Sequence, residues 1–336
     1  MQVQIQQLRY VVAVAQERHF TRAAAKLHVA QPSLSVQVRA LERELGAPLF
    51  DRTRGALGLT AAGEAFLPWA RQALADLAAG QDDVRELLGL RRGRLAIGAT
   101  PSLTSGLLPP LLARFHARYP GIDLILTQAG SRDLVARLGD GVLDLALLIL
   151  PVGIPDITTI ALAIEELVLA VAPDHPLAHR RRIRVAELAG VPLVMFRAGY
   201  DLREATFAAC RAAGFTPELA LEGGEMDGVL ALAAAGIGAA VVPGSVVRAG
   251  GPLVAVRFTG NQPAVPRRTV GLAERAHRPR PAAVGALVDE LTGMLASTGW
   301  PGAPLPGLTV LNPSDEPPAS APAAGGPTGH GRAATS

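Results

Sequence analysis

The sequence predicts an α+β multidomain chain: an N-terminal winged helix-turn-helix, a long linker helix and two α/β lobes. Three observations carry this. Three short helical periodicities in residues 1–60 lead into a basic turn between two short extended runs. Residues 61–89 carry an apolar seam with spacings of three and four. From residue 94 the pattern alternates between strand-like and helix-like segments.

At 336 residues the chain has room for two or three domains. Hydrophobic residues make up 49% and aromatics only 4%, so the cores must be aliphatic. The net charge of +3 says little, but residues 1–60 hold eight Arg or Lys against four acids, which suits a polyanionic partner or a solvated helical surface. Cys210 is the single cysteine, which excludes an intrachain disulfide and a thiolate metal cluster and points to a reducing compartment. The start, MQVQIQQLRY, lacks the basic-then-apolar pattern of a secretory signal. The longest uncharged apolar stretch, Val229 to Gly244, falls short of the ~20 residues of a membrane span and is broken by Gly236, Gly238 and Pro243. A cytoplasmic location without membrane contact is expected.

In the first helix Leu8, Val11, Val12 and Ala15 form one apolar face. Thr21 is placed to cap the second, whose inner face is Ala23, Ala24 and Leu27. The third starts at Gln31-Pro32, where proline is tolerated. Its Leu34, Val38, Leu41 and Leu45 point inward, while Gln31, Ser35 and Arg39 form an outward row flanked by Pro32, Ser33 and Val36. Such a row can face water or a major groove. Three helices in this order with a hairpin behind them favour the groove: Gln pairs with adenine, Arg with guanine, and Val36 suits a thymine methyl. Arg22 joins this surface. Arg52 and Arg54, in the hairpin Leu49–Leu59, are placed for phosphates or a narrow minor groove.

The segment resembles the N-terminal domain of LysR-type transcriptional regulators. The matching residues are Leu8-Arg9-Tyr10, Phe20-Thr21-Arg22-Ala23-Ala24, Gln31-Pro32-Ser33-Leu34-Ser35, Leu41-Glu42, Leu49-Phe50-Asp51-Arg52 and Leu59-Thr60-Ala61-Ala62-Gly63. Two positions depart from the family pattern: Ala30 stands where Ser or Thr is common, and Val36 where a basic or polar residue is common. Both bear on the operator sequence, not on the fold.

Thr60 caps the linker helix. Leu67, Ala70, Leu74, Leu77, Gln81, Val84 and Leu88 form its seam, which needs either a partner helix or the chain's own domains. The resemblance implies pairing through this helix, so that a dimer or tetramer presents paired heads to pseudo-palindromic double-stranded DNA. Residues 90–93 read as a hinge.

Beyond it, strands at 94–99, 122–128, 143–150, 192–196, 218–221 and 239–243 alternate with helices at 103–118, 131–138, 202–213 and 228–235, which argues for largely parallel sheets in two subdomains. The resemblance continues to about residue 297 through Pro109, Phe115, Pro120-Gly121, Leu143-Asp144, His175-Pro176-Leu177 and Ala235-Gly236-Ile237-Gly238. It implies Rossmann-like lobes similar to periplasmic binding proteins, lobe I at 94–164 plus 268–297 and lobe II at 165–267, with a small-molecule effector between them. It also implies RNA polymerase as a partner if the protein activates transcription.

Ligands in such folds sit at strand C-termini and helix N-termini, where free N–H groups favour an anion. This selects Thr100, Pro101, Ser102 and Thr104, then Gly130-Ser131, Phe196-Arg197 and Glu225-Met226. Ser102 and Ser131 serve equally well as helix caps, and Arg197 as a loop cation. Other features read as structural. Gly236-x-Gly238 lacks the spacing of a nucleotide loop, and His175 and His179 are split by Pro176. The Arg180–Arg182 run is a solvated edge, and Glu165-Glu166 an exposed crossover. Residues 298–336, rich in Pro, Gly and Ala, read as a disordered tail. No nucleophile–base or metal set converges, so no enzyme and no cofactor is expected. A plain solute-binding protein and a DNA-compacting protein are the rival readings; the first lacks a signal peptide and the second has no need of two lobes.

Overall fold

The structure, a computed structural model, describes residues 3–51, 57–87, 93–153, 155–248, 250–260, 265–276, 280–296 and 308–311. The head begins with helices α1 (Ile5–Glu17), α2 (Phe20–Lys26) and α3 (Gln31–Leu45), followed by strands β1 (Phe50–Asp51) and β2 (Gly58–Leu59). α1 buries Gln7, Leu8, Tyr10, Val11, Ala13 and Val14, whereas Val12 and Ala15 are only half-buried. The buried band is wider and rotated from the expected stripe because α1 packs on α2, α3 and the linker helix at once. The second helix starts two residues earlier than it would with Thr21 as its cap. His19 is the cap, its Nδ1 accepting from the Thr21 amide at 3.1 Å. α3 buries Leu34, Val38 and Leu41 and ends at Gly46, whose φ of 74° suits glycine.

The hairpin pairs Phe50 with Leu59 and Asp51 with Gly58; its tip, including Arg52 and Arg54, lies outside the described residues. Glu42 Oε1 accepts from the amides of Leu49 (2.9 Å) and Phe50 (3.3 Å), fixing the hairpin to α3. The Thr60 hydroxyl donates to the Pro48 carbonyl and accepts from the Gly63 amide, capping α4 (Ala61–Leu87) as the sequence suggests. α4 spans roughly 40 Å and contains Pro68, which removes one internal hydrogen bond. It rests on the following domain: Arg71 Nη1 lies 3.0 Å from Asp140 Oδ2, and the buried Gln72 side chain accepts from Arg275.

Beyond α4 come β3 (Gly93–Ala99), α5 (Pro101–Ser105), α6 (Leu108–Arg118), β4 (Ile122–Gln128), α7 (Ser131–Gly139) and β5 (Leu145–Leu150). A 15-residue strand, β6 (Ile157–Val171), then leads to β7 (Arg182–Ile183), β8 (Leu193–Phe196), α8 (Asp201–Ala212), β9 (Leu219–Gly224), α9 (Met226–Ala234), β10 (Ala240–Pro243) and β11 (Val254–Phe258). The chain returns through β12 (Arg267–Arg275) and ends with α10 (Ala282–Ala296) and β13 (Leu308–Val310). The helix expected at 103–118 is two helices, broken at Gly106, where a Cβ would press on Ser245.

β3 is parallel to β4 and β5, and β8 to β9, as the alternation suggests. The sheets are nevertheless mixed. β12 is antiparallel to β5 and β6, because β6 and β12 carry the chain between the lobes and back, and within the second half β10 and β11 are antiparallel to β6. β6 belongs to both halves: it pairs with β12 up to Glu166 and with β10 and β11 from Leu167 on. One aliphatic core, with Leu95, Ile97, Leu111, Phe115 and Leu287, lies on one face of the first sheet; a smaller one, with Leu134, Leu138 and Leu148, lies on the other. A separate core built on Leu169, Phe196, Leu202 and Val229 fills the second half. Residues 308–311, read from composition as tail, form a strand and its flank; the rest of 298–336 lies outside the described residues.

Candidate nucleic-acid interface and ligand cleft

On α3 the inward residues leave Pro32, Ser33, Val36 and Arg39 fully outward, with Val36 59% exposed. Gln31 and Ser35 sit half-buried on the flank of this track. An open hollow of about 560 Å³ runs along it, lined by Val36, Arg39, Glu42, Arg43, Gly46, Ala47 and Pro48. Sequence reasoning missed Arg43, whose i+4 spacing from Arg39 was the available signal. Arg22 is exposed, and its guanidinium caps the C-terminus of α1 through the Glu17 carbonyl at 2.7 Å.

Within one chain the heptad residues of α4 divide between buried and exposed positions. Leu67 (6% exposed) and Ala70 (1%) are buried, Leu67 in the head's own core. Leu74 is half-buried and Gln81 exposed; Leu88 lies outside the described residues. Among the described side chains of α4, the exposed large apolar residues are Trp69 (72% exposed), Leu77 and Val84. At about 100° per residue, Trp69, Ala73, Leu77 and Val84 share an arc of roughly 80°. Trp69, an aromatic outside the expected seam, was the overlooked sign of this stripe.

Between the lobes lies a cavity of about 250 Å³ lined by Pro101, Ser105, Gln128, Ala129, Gly130, Arg197, Tyr200, Glu225, Met226 and Asp227. Of the residues selected from sequence, Pro101, Gly130, Arg197, Glu225 and Met226 line it. Thr100, Ser102, Thr104, Ser131 and Phe196 are not among its lining residues, and each has another role. The Thr104 hydroxyl donates back to the Thr100 carbonyl. Ser131 Oγ accepts from the Ile149 amide, tying α7 to β5. Phe196 is 1% exposed and stacks on Tyr200 in the second core. Ser105, Gln128, Ala129, Tyr200 and Asp227 were missed because they meet only through the fold.

Arg197 and Glu225 face each other across the cavity rim as a hydrogen-bonded ion pair, both about half exposed, and the pairing raises the guanidinium's pKa. The Arg197 guanidinium lies 5.7 Å from the centroid of the Tyr200 ring. The Tyr200 hydroxyl is buried without a hydrogen-bond partner among the described residues, and burial pushes its pKa up. The lining thus carries one cation and two carboxylates, Glu225 and Asp227.

Beneath the cavity sits a largely buried polar cluster. Thr100 and Ser102 are 2% and 0% exposed, and Ser102 Oγ accepts from Arg268 Nη1 at 2.8 Å. Arg268 Nε donates to Glu165 Oε2 at 2.9 Å, and Ser245 donates to the other Glu165 oxygen. Arg268 Nη1 also lies 3.4 Å from Asp201 Oδ2. Glu165 is therefore not an exposed crossover residue: it is 1% exposed, because β6 turns it inward against Arg268 of β12, its cross-strand partner. Glu166 does face solvent and pairs with Arg257. His175 Nδ1 accepts from the Leu177 amide, an ordinary turn cap.

Comparison with known proteins agrees with this architecture. Residues 5–64 match the family model described as bacterial regulatory helix-turn-helix protein, lysR family, and residues 88–296 match the LysR substrate binding domain. The chain is 34% identical to the transcriptional dual regulator GltC of Bacillus subtilis over 277 residues, 82% of this chain and 92% of that protein. It is 33% identical to the transcriptional dual regulator OxyR of Escherichia coli over 275 residues, 82% of this chain and 90% of that one. Among solved structures, a full-length OxyR variant from Pseudomonas aeruginosa superposes with a TM-score of 0.72 at 30% identity, covering 94% of this chain and all of that one. CbnR complexed with its target DNA gives 0.65 at 27%, covering 87% of this chain and 99% of that one. The chain belongs to the LysR family of DNA-binding transcriptional regulators, with a helix-turn-helix head and an effector-binding domain.

Proposed function

We propose that this regulator binds a pseudo-palindromic promoter site as a dimer or tetramer, acts in the cytoplasm, and changes its grip on DNA when a small polar effector enters the inter-lobe cavity. The outward track Pro32, Ser33, Val36 and Arg39 on a helix whose other face is fully buried carries the DNA reading. Gln31 and Ser35 flank the base edges, and Arg22, Arg43, Arg52 and Arg54 serve phosphates or the minor groove. Fluorescence anisotropy with DNA from upstream of the chain's own gene tests this. Arg39→Ala should lose about 1–3 kcal/mol of discrimination at one base pair. Arg43→Ala should weaken all sequences alike and lower the slope of log affinity against log salt by about 1. Unchanged affinity for both variants, with the fold intact, would remove α3 from the interface.

Pairing through α4 rests on the exposed stripe of Trp69, Leu77 and Val84. Trp69→Lys should weaken self-association by about 2 kcal/mol or more, read as a shift toward monomer in sedimentation velocity at micromolar protein. Leu67→Ala should instead loosen the head and leave association largely unchanged. The reverse pattern would restore the heptad seam as the interface. Contact with RNA polymerase follows if the protein activates.

An anion alone suits the cleft less well than free helix N-termini suggest, because Glu225 already occupies Arg197 and Asp227 adds a second negative charge. A zwitterion fits the set: its anionic group takes Arg197, and its cationic group takes the freed carboxylates. The exposed Arg197–Glu225 pair, of a class worth about 0–1 kcal/mol, can be exchanged readily. Several relatives are named hydrogen peroxide-inducible genes activators. A peroxide response through a reactive thiol is not supported by this chain's own cysteine. Cys210, the chain's single cysteine, is buried, and desolvation pushes its pKa up to about 11. Only about one part in ten thousand is then thiolate at neutral pH.

A further inference from the structure

The match to the effector-domain family ends at residue 296, yet the described chain continues at Leu308–Leu311 on the strand that joins the two lobes. Leu308 pairs with Glu165, Thr309 with Ile164 and Val310 with Ala163, all antiparallel, and the Leu311 amide donates to the Leu162 carbonyl at 2.9 Å. The same β6 residues pair with Val270, Thr269 and Arg268 of β12. A strand has two edges, so β13 occupies the edge of β6 that β12 leaves open. It does so immediately before Leu167, where the pairing with β10 begins.

We propose that residues 308–311 are a built-in docking strand that fills the open edge of β6 at the lobe crossover and restrains movement of one lobe against the other. Backbone pairing gives the seat its affinity, and alternate side chains give it register. Leu308 packs against the first lobe's core, and Val310, two residues on and on the same face of the strand, is 40% exposed. Glu165, which anchors the buried cluster under the cavity, lies in register with Leu308 on one side and Arg268 on the other. The docked strand thus covers the backbone beside the buried ion pair. A change in the twist of β6 at the crossover has to slide or release it.

Hydrogen exchange with mass spectrometry tests the seat on the full chain and on chains ending at Pro304 and at Ser314. In the antiparallel ladder the Leu162–Leu311 bond alternates to place the Ile164 amide toward β13. A peptide spanning 160–166 should exchange roughly ten-fold faster in the chain ending at Pro304, and at the full-chain rate in the one ending at Ser314. Leu308→Asp with Leu311→Pro, in the full chain, should reproduce the faster exchange and serves as the test if the shorter chain does not fold. Equal protection of 160–166 in the folded variants overturns the proposal. So does an acceleration spread evenly over β8 and β9, which would mean general loosening and no local seat.

Discussion

Arg268→Ala is expected to destabilise the effector domain by about 3–5 kcal/mol, since it strips the partner from a buried carboxylate. The Arg268 side chain is 4% exposed and that of Glu165 2%. Without the guanidinium, Glu165 keeps, among the described residues, only the Ser245 hydroxyl as a hydrogen-bonding side chain, and Ser102 loses its Arg268 donor. Glu165→Ala should cost less, because the guanidinium keeps the Asp201 carboxylate at 3.4 Å and the Ser102 hydroxyl as partners. The pair Arg268→Met with Glu165→Leu should be milder than either single change, because two charges leave the interior together and apolar volume stays. Urea unfolding followed by circular dichroism measures all three. A chain of several domains need not unfold in one step, so the transition is assigned by following the effector domain's own signal. A single-variant loss below about 1 kcal/mol would mean that water reaches the cluster. The functional consequence is local: the cluster joins β6, β12, α5 and the Gly244–Val246 turn beneath the cavity, so its loss should also weaken the coupling of ligand to DNA.

What could be read in the sequence follows the range over which each signal acts. The head was legible because its evidence is local: Leu34, Val38 and Leu41 repeat at helical spacing within one element, and all three are fully buried. Thr60 as a cap rests on a three-residue relation to Gly63. The α4 seam was half legible. Spacing alone cannot tell a residue that packs on α1, such as Leu67, from one awaiting a partner, such as Leu77. Glu165 was misread because its partner stands 103 residues away, and two adjacent acids look like surface until that partner is placed. The cleft suffered the same way. Turns identified Pro101 and Arg197, but Gln128, Tyr200 and Asp227 come from separate elements and converge only in the folded chain. β13 escaped because Leu308, Val310 and Leu311, three apolar residues around a threonine, were averaged into a Pro- and Gly-rich context.

Gly63→Ala is expected to destabilise the head by about 1–3 kcal/mol or more, through overpacking against backbone. Gly63 lies in the first turn of α4, where glycine has no propensity advantage and alanine would normally help. Here a Cβ would collide with the Leu49 carbonyl oxygen and crowd the Leu59 side chain. That carbonyl cannot move freely. It accepts from the Thr60 amide at 3.1 Å, while the Leu49 amide is held by Glu42. The clash therefore spreads into the joint between α3, the hairpin and α4, which sets how the wing stands beside the recognition helix. Thermal unfolding should show a lower first transition for the head and an unchanged one for the effector domain. DNA affinity should fall with it, with no contact residue altered. Thr60→Val, which removes the cap but leaves the close approach intact, should cost only about 0.5–2 kcal/mol. A Gly63→Ala head as stable as the native one would show that the α4–hairpin joint is looser than the Leu49 contact requires.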